Sequence, residues 1–450
     1  MPAPPVDLTR GERVRMRGAK AASRVRRGLL GLLMRLPGGH SDPASLLARF
    51  PEEALLPLRR DGLSPVPELG ELRDREPVSR LKMPLGLRGW LVTGHEENRQ
   101  ILAAPVTTFS NDFGNMVGKV GIGAEQDPGG LGFADPPHHT RLRHMLTAHF
   151  TARANAARAP RVQRIIDEAL DELAVLGATG DPVDLQQHFA LTIPSRVIME
   201  LLGVDEADRA EFQRLSAARF EYNGGVSASF EVIQESIELL RRVVVRQRKD
   251  PGPGLIGSIL TEYGDDVGDV ELAGLADGVL TGGLETTVSM LALGAIVLLQ
   301  EPDLFRRVRE DDTVAEPLVE ELLRYLTVVQ VGFPRFVVSD VTVGGKHMFA
   351  GDVVIPSLAA ANRDRRRGPE LDAIDVDRPL IQHLAFGHGL HRCVGADLAR
   401  MELRMAYPAL VRRFPNLALA VAAETLTYRK LSFVYGVESV PVHLNPTASR

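Results

Sequence analysis

Residues 386–395 read Phe-Gly-His-Gly-Leu-His-Arg-Cys-Val-Gly, and they hold the only cysteine, Cys393, of a 450-residue chain. Three glycines, Gly387, Gly389 and Gly395, bracket the sulfur. Glycine suits a tight loop because it reaches positive φ at no steric cost and lets backbone come close to another group. Beyond the cysteine the spacing of Val394, Leu398, Met401 and Met405 turns helical. The sulfur is therefore expected on a Gly-rich loop at a helix N-terminus, where unpaired N–H groups and the helix dipole favour an anion. Such surroundings lower a thiol pKa. A lone cysteine is commonly a small buried hydrophobe; a thiolate held in this way is a nucleophile or a metal ligand.

The pattern Phe-x-x-Gly-x-His-x-Cys-x-Gly, with every fixed position filled, resembles the haem-ligand signature of the cytochromes P450, in particular the soluble bacterial members. A Cys/His/Asn hydrolase would not need this spacing. The resemblance implies that Cys393 is the axial thiolate of the iron of haem b (iron protoporphyrin IX), pushing electron density that favours O–O cleavage. Phe386, Gly387 and Gly395 would belong to the cofactor-binding residues.

Composition is ordinary for a globular protein. Hydrophobic residues make up 44% and charged residues 25% of the chain, enough for a substantial core. The net charge of −5 gives no general reason to expect nucleic acid. A single cysteine excludes an intramolecular disulfide framework and suits a reducing, cytoplasmic setting. The apolar run from Val279 to Leu299 carries Glu285 and lacks basic flanks; it reads as a buried helix. Residues 1–40 differ from the rest, with nine Arg or Lys between Arg10 and Leu36 against Glu12 alone. They read as a solvated basic tail or as a helix lying on anionic lipid. By length alone the chain could hold two or three domains; the resemblance implies that residues 41–450, opened by a helix start at Asp42, are a single one.

Four further stretches carry chemistry. Asp135-Pro136-Pro137-His138-His139-Thr140-Arg141-Leu142-Arg143 opens a helix with proline in its first turn, on which His139 and Arg143 share a face. They resemble the family's propionate-binding His and Arg; a solvated basic face is the plainer alternative. A helix from about Asp269 to Leu299 would run roughly 45 Å. Its centre is Gly282-Gly283-Leu284-Glu285-Thr286-Thr287. Two mid-helix glycines cost on the order of 1 kcal/mol each. They ask for close approach of a flat cofactor, packing of another helix, or a local opening where the Thr286 hydroxyl takes the Gly282 carbonyl. The segment resembles the oxygen-activation motif, with Glu285 and Thr286 as an acid–alcohol pair able to relay protons. Glu321 and Arg324 resemble the family's structural Glu-x-x-Arg pair, but residues 370–375 lack the usual third arginine. Arg378 or a backbone group is left to complete that network. Arg335, and His391 two residues before the cysteine, match further propionate contacts.

The remaining expectations follow the chain. Residues 79–93 alternate like a hairpin around Pro84 to Gly86. Residues 114–132 hold seven glycines and take the place of a pocket roof. Two apolar stripes, Val162, Ile165, Ile166, Ala169, Leu173 and Phe230, Ile233, Ile237, Leu240, Val244, mark core helices, with a break at Asn223-Gly224-Gly225. Residues 114–132, the 220–230 turn, residues 329–333 and residues 432–435 are the expected pocket walls, mostly apolar, with Gln330 and Tyr435 as scattered polar groups.

By resemblance the fold is mainly α with a smaller β-rich part, the cytochrome P450 fold. The implied activity is insertion of one oxygen atom from O2 into a lipophilic or natural-product substrate. Electrons would come from a separate ferredoxin and ferredoxin reductase. Family members acting without net monooxygenation, such as peroxygenases, isomerases and coupling enzymes, and haem-binding sensors remain open alternatives. Arg392, Arg400, Arg404, Arg412, Arg413, Arg141 and His144 form a basic set that reads either as a docking face for an acidic donor or as ordinary solvated helix.

Overall fold

Apolar residues recur at three- and four-residue spacing along most of the chain, so helices dominate it. The computed structural model describes residues 51–83, 88–112, 131–219 and 225–445. The basic tail, the start at Asp42, the turn around Pro84 to Gly86, residues 114–130 of the Gly-rich segment, Asn223 and Gly224 lie outside these residues. So does the side chain of Phe230.

The helices are α1 (Pro67–Arg75), α2 (His95–Ala103), α3 (His138–Thr147), α4 (Ala152–Leu176), α5 (Thr192–Leu202), α6 (Arg209–Ala218), α7 (Gly225–Lys249), α8 (Leu255–Tyr263), α9 (Asp269–Gln300), α10 (Pro302–Glu310), α11 (Ala315–Leu326) and α12 (Ala396–Arg413). A five-stranded sheet is built from β1 (Val78–Lys82), β2 (Arg88–Val92), β3 (Phe109–Ser110), β4 (Arg335–Val337) and β5 (Val353–Pro356), in the order β1-β2-β5-β4-β3. Only β2 and β5 run parallel, with Trp90 opposite Val354; the other neighbours are antiparallel. The β1–β2 hairpin is the one expected from alternation. The architecture is thus mainly α with a smaller β part, as the sequence led us to expect.

Helix α9 is the axle of the helical core. Every residue from Thr287 to Leu298 is buried, which fits a helix apolar on all sides and enclosed by others. Among the described residues it is the one helix long and apolar enough to cross a membrane, but 72% of its most apolar window is buried within the protein. Close approach to α12 is set at Gly294, where an added Cβ would lie 2.0 Å from the Tyr407 hydroxyl. That hydroxyl donates to the Met290 carbonyl at 2.5 Å.

The first apolar stripe is buried throughout, on α4. The second is displaced on α7. Leu239, Leu240, Val243 and Val244 are buried, whereas Ile233 and Ile237 are only partly so. On α12 the buried face likewise runs through Leu398, Glu402, Leu403, Ala406, Tyr407 and Leu410, leaving Met401 and Met405 half-buried.

The open question about Glu321 and Arg324 is answered by both candidates at once. Arg324 donates from Nε and Nη2 to Glu321, each at 2.7 Å. It also donates to the carbonyls of Asn362, Leu371 and Ala373 at 3.1, 2.7 and 3.0 Å. Glu321 also accepts the Asp375 N–H at 3.0 Å, and Arg378 Nε lies 3.6 Å away.

Glu402 is the unusual member of the core. Its Oε2 is buried without a hydrogen-bond partner, and burial pushes its carboxyl up to about 8. The unfolded chain ionises this group near the usual glutamate value, so between about pH 4.5 and 8 the native state binds the extra proton and stability falls as pH rises. Glu402→Gln removes the charge and keeps the shape. It should raise the thermal midpoint at pH 8, where ionisation costs on the order of 3–5 kcal/mol, and leave it nearly unchanged at pH 5. Parallel pH dependence in the two proteins would refute this.

Candidate active site

The cysteine loop is built by backbone constraints. Gly387 and Gly389 have φ of +67° and +71°. At Gly389 the need for glycine is double, because an added Cβ would also lie 2.3 Å from the Leu102 carbonyl oxygen of α2. The Cys393 N–H donates to the Phe386 carbonyl at 2.9 Å, closing the turn. Arg400 lies over the Phe386 ring at 4.7 Å. Gly395 is the N-cap of α12 with φ −87°, so the helix begins just after the sulfur.

The expected low thiol pKa does not follow. Cys393 is exposed, yet burial is the largest influence on it and moves its pKa upward. The Gly395 N–H, Arg143, Arg392 and Arg400 all favour the thiolate, but desolvation outweighs them. A helix N-terminus alone is too weak an anion site to overcome it.

Around the same loop the structure gathers the expected basic residues. His139 is buried on α3, and its ring centre lies 4.3 Å from that of His391. Arg143, one turn on, donates to the Arg392 carbonyl at 2.6 Å and so grips the loop. Arg335, at the start of β4, is buried; its Nη1 donates to the Phe333 carbonyl at 2.9 Å. Burial pushes it down to about 10. Burial, with His139, Arg335 and Arg143 beside it, pushes His391 to about 3.

Both ring nitrogens of His139 and Nε2 of His391 are buried without a hydrogen-bond partner. Arg335 forms no ion pair among the described residues. Buried polar atoms of native proteins are seldom left so. Two imidazoles and two guanidinium groups with spare hydrogen-bonding capacity beside a thiol suit a metal-bearing cofactor that carries carboxylates.

A second cluster lies on α9. Thr286 Oγ1 donates to the Gly282 carbonyl at 2.7 Å, the expected local bond. The α-carbon of Gly282 faces open space, whereas an added Cβ at Gly283 would meet Ile198 Cδ1 of α5 at 2.7 Å. Gly283 therefore serves helix packing and not close approach of a cofactor. Glu285 accepts from Arg429 Nη1 at 3.2 Å. Among the described residues Thr286 shows no hydrogen bond to the cysteine loop; α9 and the loop are linked through α12.

Other expectations need correction. Gln330 and Tyr435 are not polar groups of the pocket. Gln330 accepts from Arg60 at 2.8 Å and donates to the carbonyls of Ser432 and Leu58, and the Tyr435 hydroxyl donates to the Gly62 carbonyl. The exposed side chains in these segments are Phe333 and Phe433, with Phe133 edge-on to Phe333 at 4.6 Å. The basic set also changes character. Arg400 pairs with Glu320, Arg404 with Glu316, Arg412 with Asp312, Arg413 with Asp171 and Arg141 with Glu271. Burial opposes ionisation of Glu320, but hydrogen bonds from His383 and Arg400 outweigh it and hold the carboxyl down at about 2.

Two features escaped sequence reading. Arg219, at the end of α6, binds the fully buried Asp277 of α9 and donates to Thr281 at 2.6 Å. Arg429 reaches Glu285 from far along the chain. An acid inside so apolar a helix was the available signal for both; nothing in the sequence named the partner.

The sequence model of the cytochrome P450 family matches residues 226–419. The chain is 37% identical to cytochrome P450 FAS1 of Rhodococcoides fascians, over 86% of this chain and 97% of that protein. It is 38% identical to the mycinamicin IV hydroxylase/epoxidase of Micromonospora griseorubida, over 85% and 96%. The solved structure of OxyC, a cytochrome P450 implicated in an oxidative C–C coupling reaction during vancomycin biosynthesis, is similar with a TM-score of 0.77. That likeness comes at 37% identity and covers 86% of this chain and 96% of that one.

The loop geometry sets one test. Gly389→Ala should destabilise the fold by ~2 kcal/mol or more through positive φ and contact with α2. Gly395→Ala meets only the Phe150 ring at 3.7 Å and should cost under about 0.5 kcal/mol. Urea denaturation of both variants reads the difference, and equal midpoints would refute the assignment.

Proposed function

This chain belongs to the cytochrome P450 family of haem-thiolate oxidoreductases, and from that premise we propose that it inserts one oxygen atom from O2 into a lipophilic small molecule of natural-product type. The observation that carries this reading is the Thr286–Gly282 hydrogen bond on α9, which places an alcohol next in sequence to the acid Glu285 on a helix open at Gly282.

Cys393 would ligate the iron, and His139, Arg143, Arg335 and His391 would hold the propionates of haem b. Phe386, Gly387 and Gly395 shape the loop around the ligand. When bound, the haem supplies the oxygen chemistry and the protein supplies ligand, proton path and pocket. Thr286 donates its hydroxyl hydrogen to the Gly282 carbonyl, which turns the Oγ1 lone pairs outward to accept a proton; the hydroxyl then releases its own proton by rotating off the carbonyl. Glu285 offers a carboxylate one residue away to exchange that proton. Phe133, Phe333 and Phe433 supply apolar surface for a lipophilic substrate and exclude water from it.

Electrons would come from a separate donor, which we take to be a ferredoxin served by its reductase. Most arginines of the basic set are neutralised by carboxylates of this chain. Arg392 has no carboxylate within ion-pair distance among the described residues, and it adjoins Cys393. It is therefore the cation best placed to meet an acidic donor, with an attraction that salt weakens.

Oxidative coupling is the second reading, favoured by the likeness to OxyC. The two are separated by reaction under 18O-labelled dioxygen. Oxygen insertion adds one labelled atom to the product, and coupling removes two hydrogens without label.

Thr286→Ala should retain the reduced carbon-monoxide spectrum while product formed per reductant consumed falls roughly tenfold or more. Full coupling in that variant would sink the proposed relay. For the cofactor site, Arg335→Ala and His139→Ala should lower haem retained after gel filtration, because a buried propionate loses a charge-assisted partner. Haem content equal to wild type in both would overturn the propionate assignment.

A further inference from the structure

We propose that Arg429 is a positioning residue for Glu285, holding the carboxylate of the acid–alcohol pair from the C-terminal hairpin. The inference rests on the reading of Glu285 as part of the proton relay.

A glutamate on a helix face has three rotatable side-chain bonds, so its carboxylate wanders unless something fixes it. Arg429 supplies a fixed cation. Its side chain is only 5% exposed against 30% for Glu285, and the two approach to 3.2 Å. A guanidinium keeps its charge throughout the accessible pH range, and charge-assisted bonds are the stronger and shorter ones.

The hairpin is shaped to deliver this group. Tyr428 bridges Val437, and the Arg429 N–H donates to the Gly436 carbonyl at 2.9 Å. A Cβ at Gly436 would stand 2.8 Å from Ser289 Oγ and 3.4 Å from Arg429 Nη1. The passage between hairpin and α9 is thus only a glycine wide. Ser289, one helical turn beyond Glu285, is buried with its hydroxyl unpartnered. At the other end of the hairpin Val434 bridges Val329 and Phe433 is 56% exposed. The segment that presents an aromatic ring to the proposed substrate side is also the one that grips the acid.

The test uses the haem-loaded full chain in four forms: wild type, Glu285→Gln, Arg429→Met and the double variant, with Arg429→Lys as the charge-keeping control. Arg429→Met is expected to lower product per reductant about 3–10-fold, to change kcat more than KM, and to be largely rescued by Arg429→Lys. The double variant should be no worse coupled than Glu285→Gln alone. Independently of turnover, urea midpoints of the four proteins should be non-additive, as for residues in contact.

If Glu285→Gln uncouples but Arg429→Met does not, the role given to Arg429 fails and the relay stands. If Glu285→Gln is fully coupled, the relay reading fails and takes Arg429 with it. Additive losses in the double variant would mean that Arg429 acts without Glu285 and would overturn the proposal. Should Arg429→Met not hold haem, the cycle is run with Arg429→Gln, where a coupling loss that does not add to that of Glu285→Gln supports the proposal and coupling equal to wild type, or an additive loss, overturns it.

Discussion

A guanidinium inside a protein is tolerated when all five of its N–H groups find acceptors, and Arg324 satisfies that condition. Two donors go to Glu321 and the rest to the carbonyls of Asn362, Leu371 and Ala373. The chain from there to α12 contains no regular helix beyond single turns, so nothing local fixes its path. Asn362 extends the network, with Oδ1 accepting the Leu384 N–H at 2.6 Å and Nδ2 donating to Thr327 at 2.8 Å. The cysteine loop begins two residues after Leu384. The sulfur's position is thus set from α11 by side chains that bond backbone, and the chemistry at Cys393 depends on a pair far from it in sequence.

Charge around that sulfur is arranged on the same terms. Desolvation works against a thiolate, and the loop meets it with one N–H and three guanidinium groups. Arg400 is shared, because Glu320 holds it at 2.6 Å. The cations near the thiol are therefore partly spent on the fold, and the balance at the sulfur stays on the neutral side. A coordinated metal ion tips such a balance outright, since a thiol bound to one is deprotonated.

Much of this was legible in the residues. The cysteine loop declared itself through its glycines, α9 through a long and largely apolar run, and the β1–β2 hairpin through alternation. What escaped was whatever depends on a partner distant in sequence. Gln330 looked like a pocket group, but its amide is consumed by Arg60, Leu58 and Ser432. The arginines of α12 looked like a free basic face, yet the acids that neutralise them lie on α4, α11 and the single turn before it. Gly283 looked like its neighbour Gly282 until the direction of its missing side chain showed Ile198. A repeat of 3.6 residues says which positions share a face; it does not say what the face meets.

Helix α9 joins these separate constraints. Asp277 and Glu285 are eight residues apart, roughly 12 Å along the axis, and they flank Gly282, the acceptor of the Thr286 hydroxyl. Each acid is held by an arginine from a different element, Arg219 at the end of α6 and Arg429 on the C-terminal hairpin. An ion pair at the edge of an apolar core is weakly stabilising as a whole but costly to break on one side, because the remaining charge is left desolvated. The two pairs therefore fix geometry more than they add stability. Movement of either outer element must pull on α9 within three turns of Thr286, so the segment that carries the proposed relay is mechanically coupled to both.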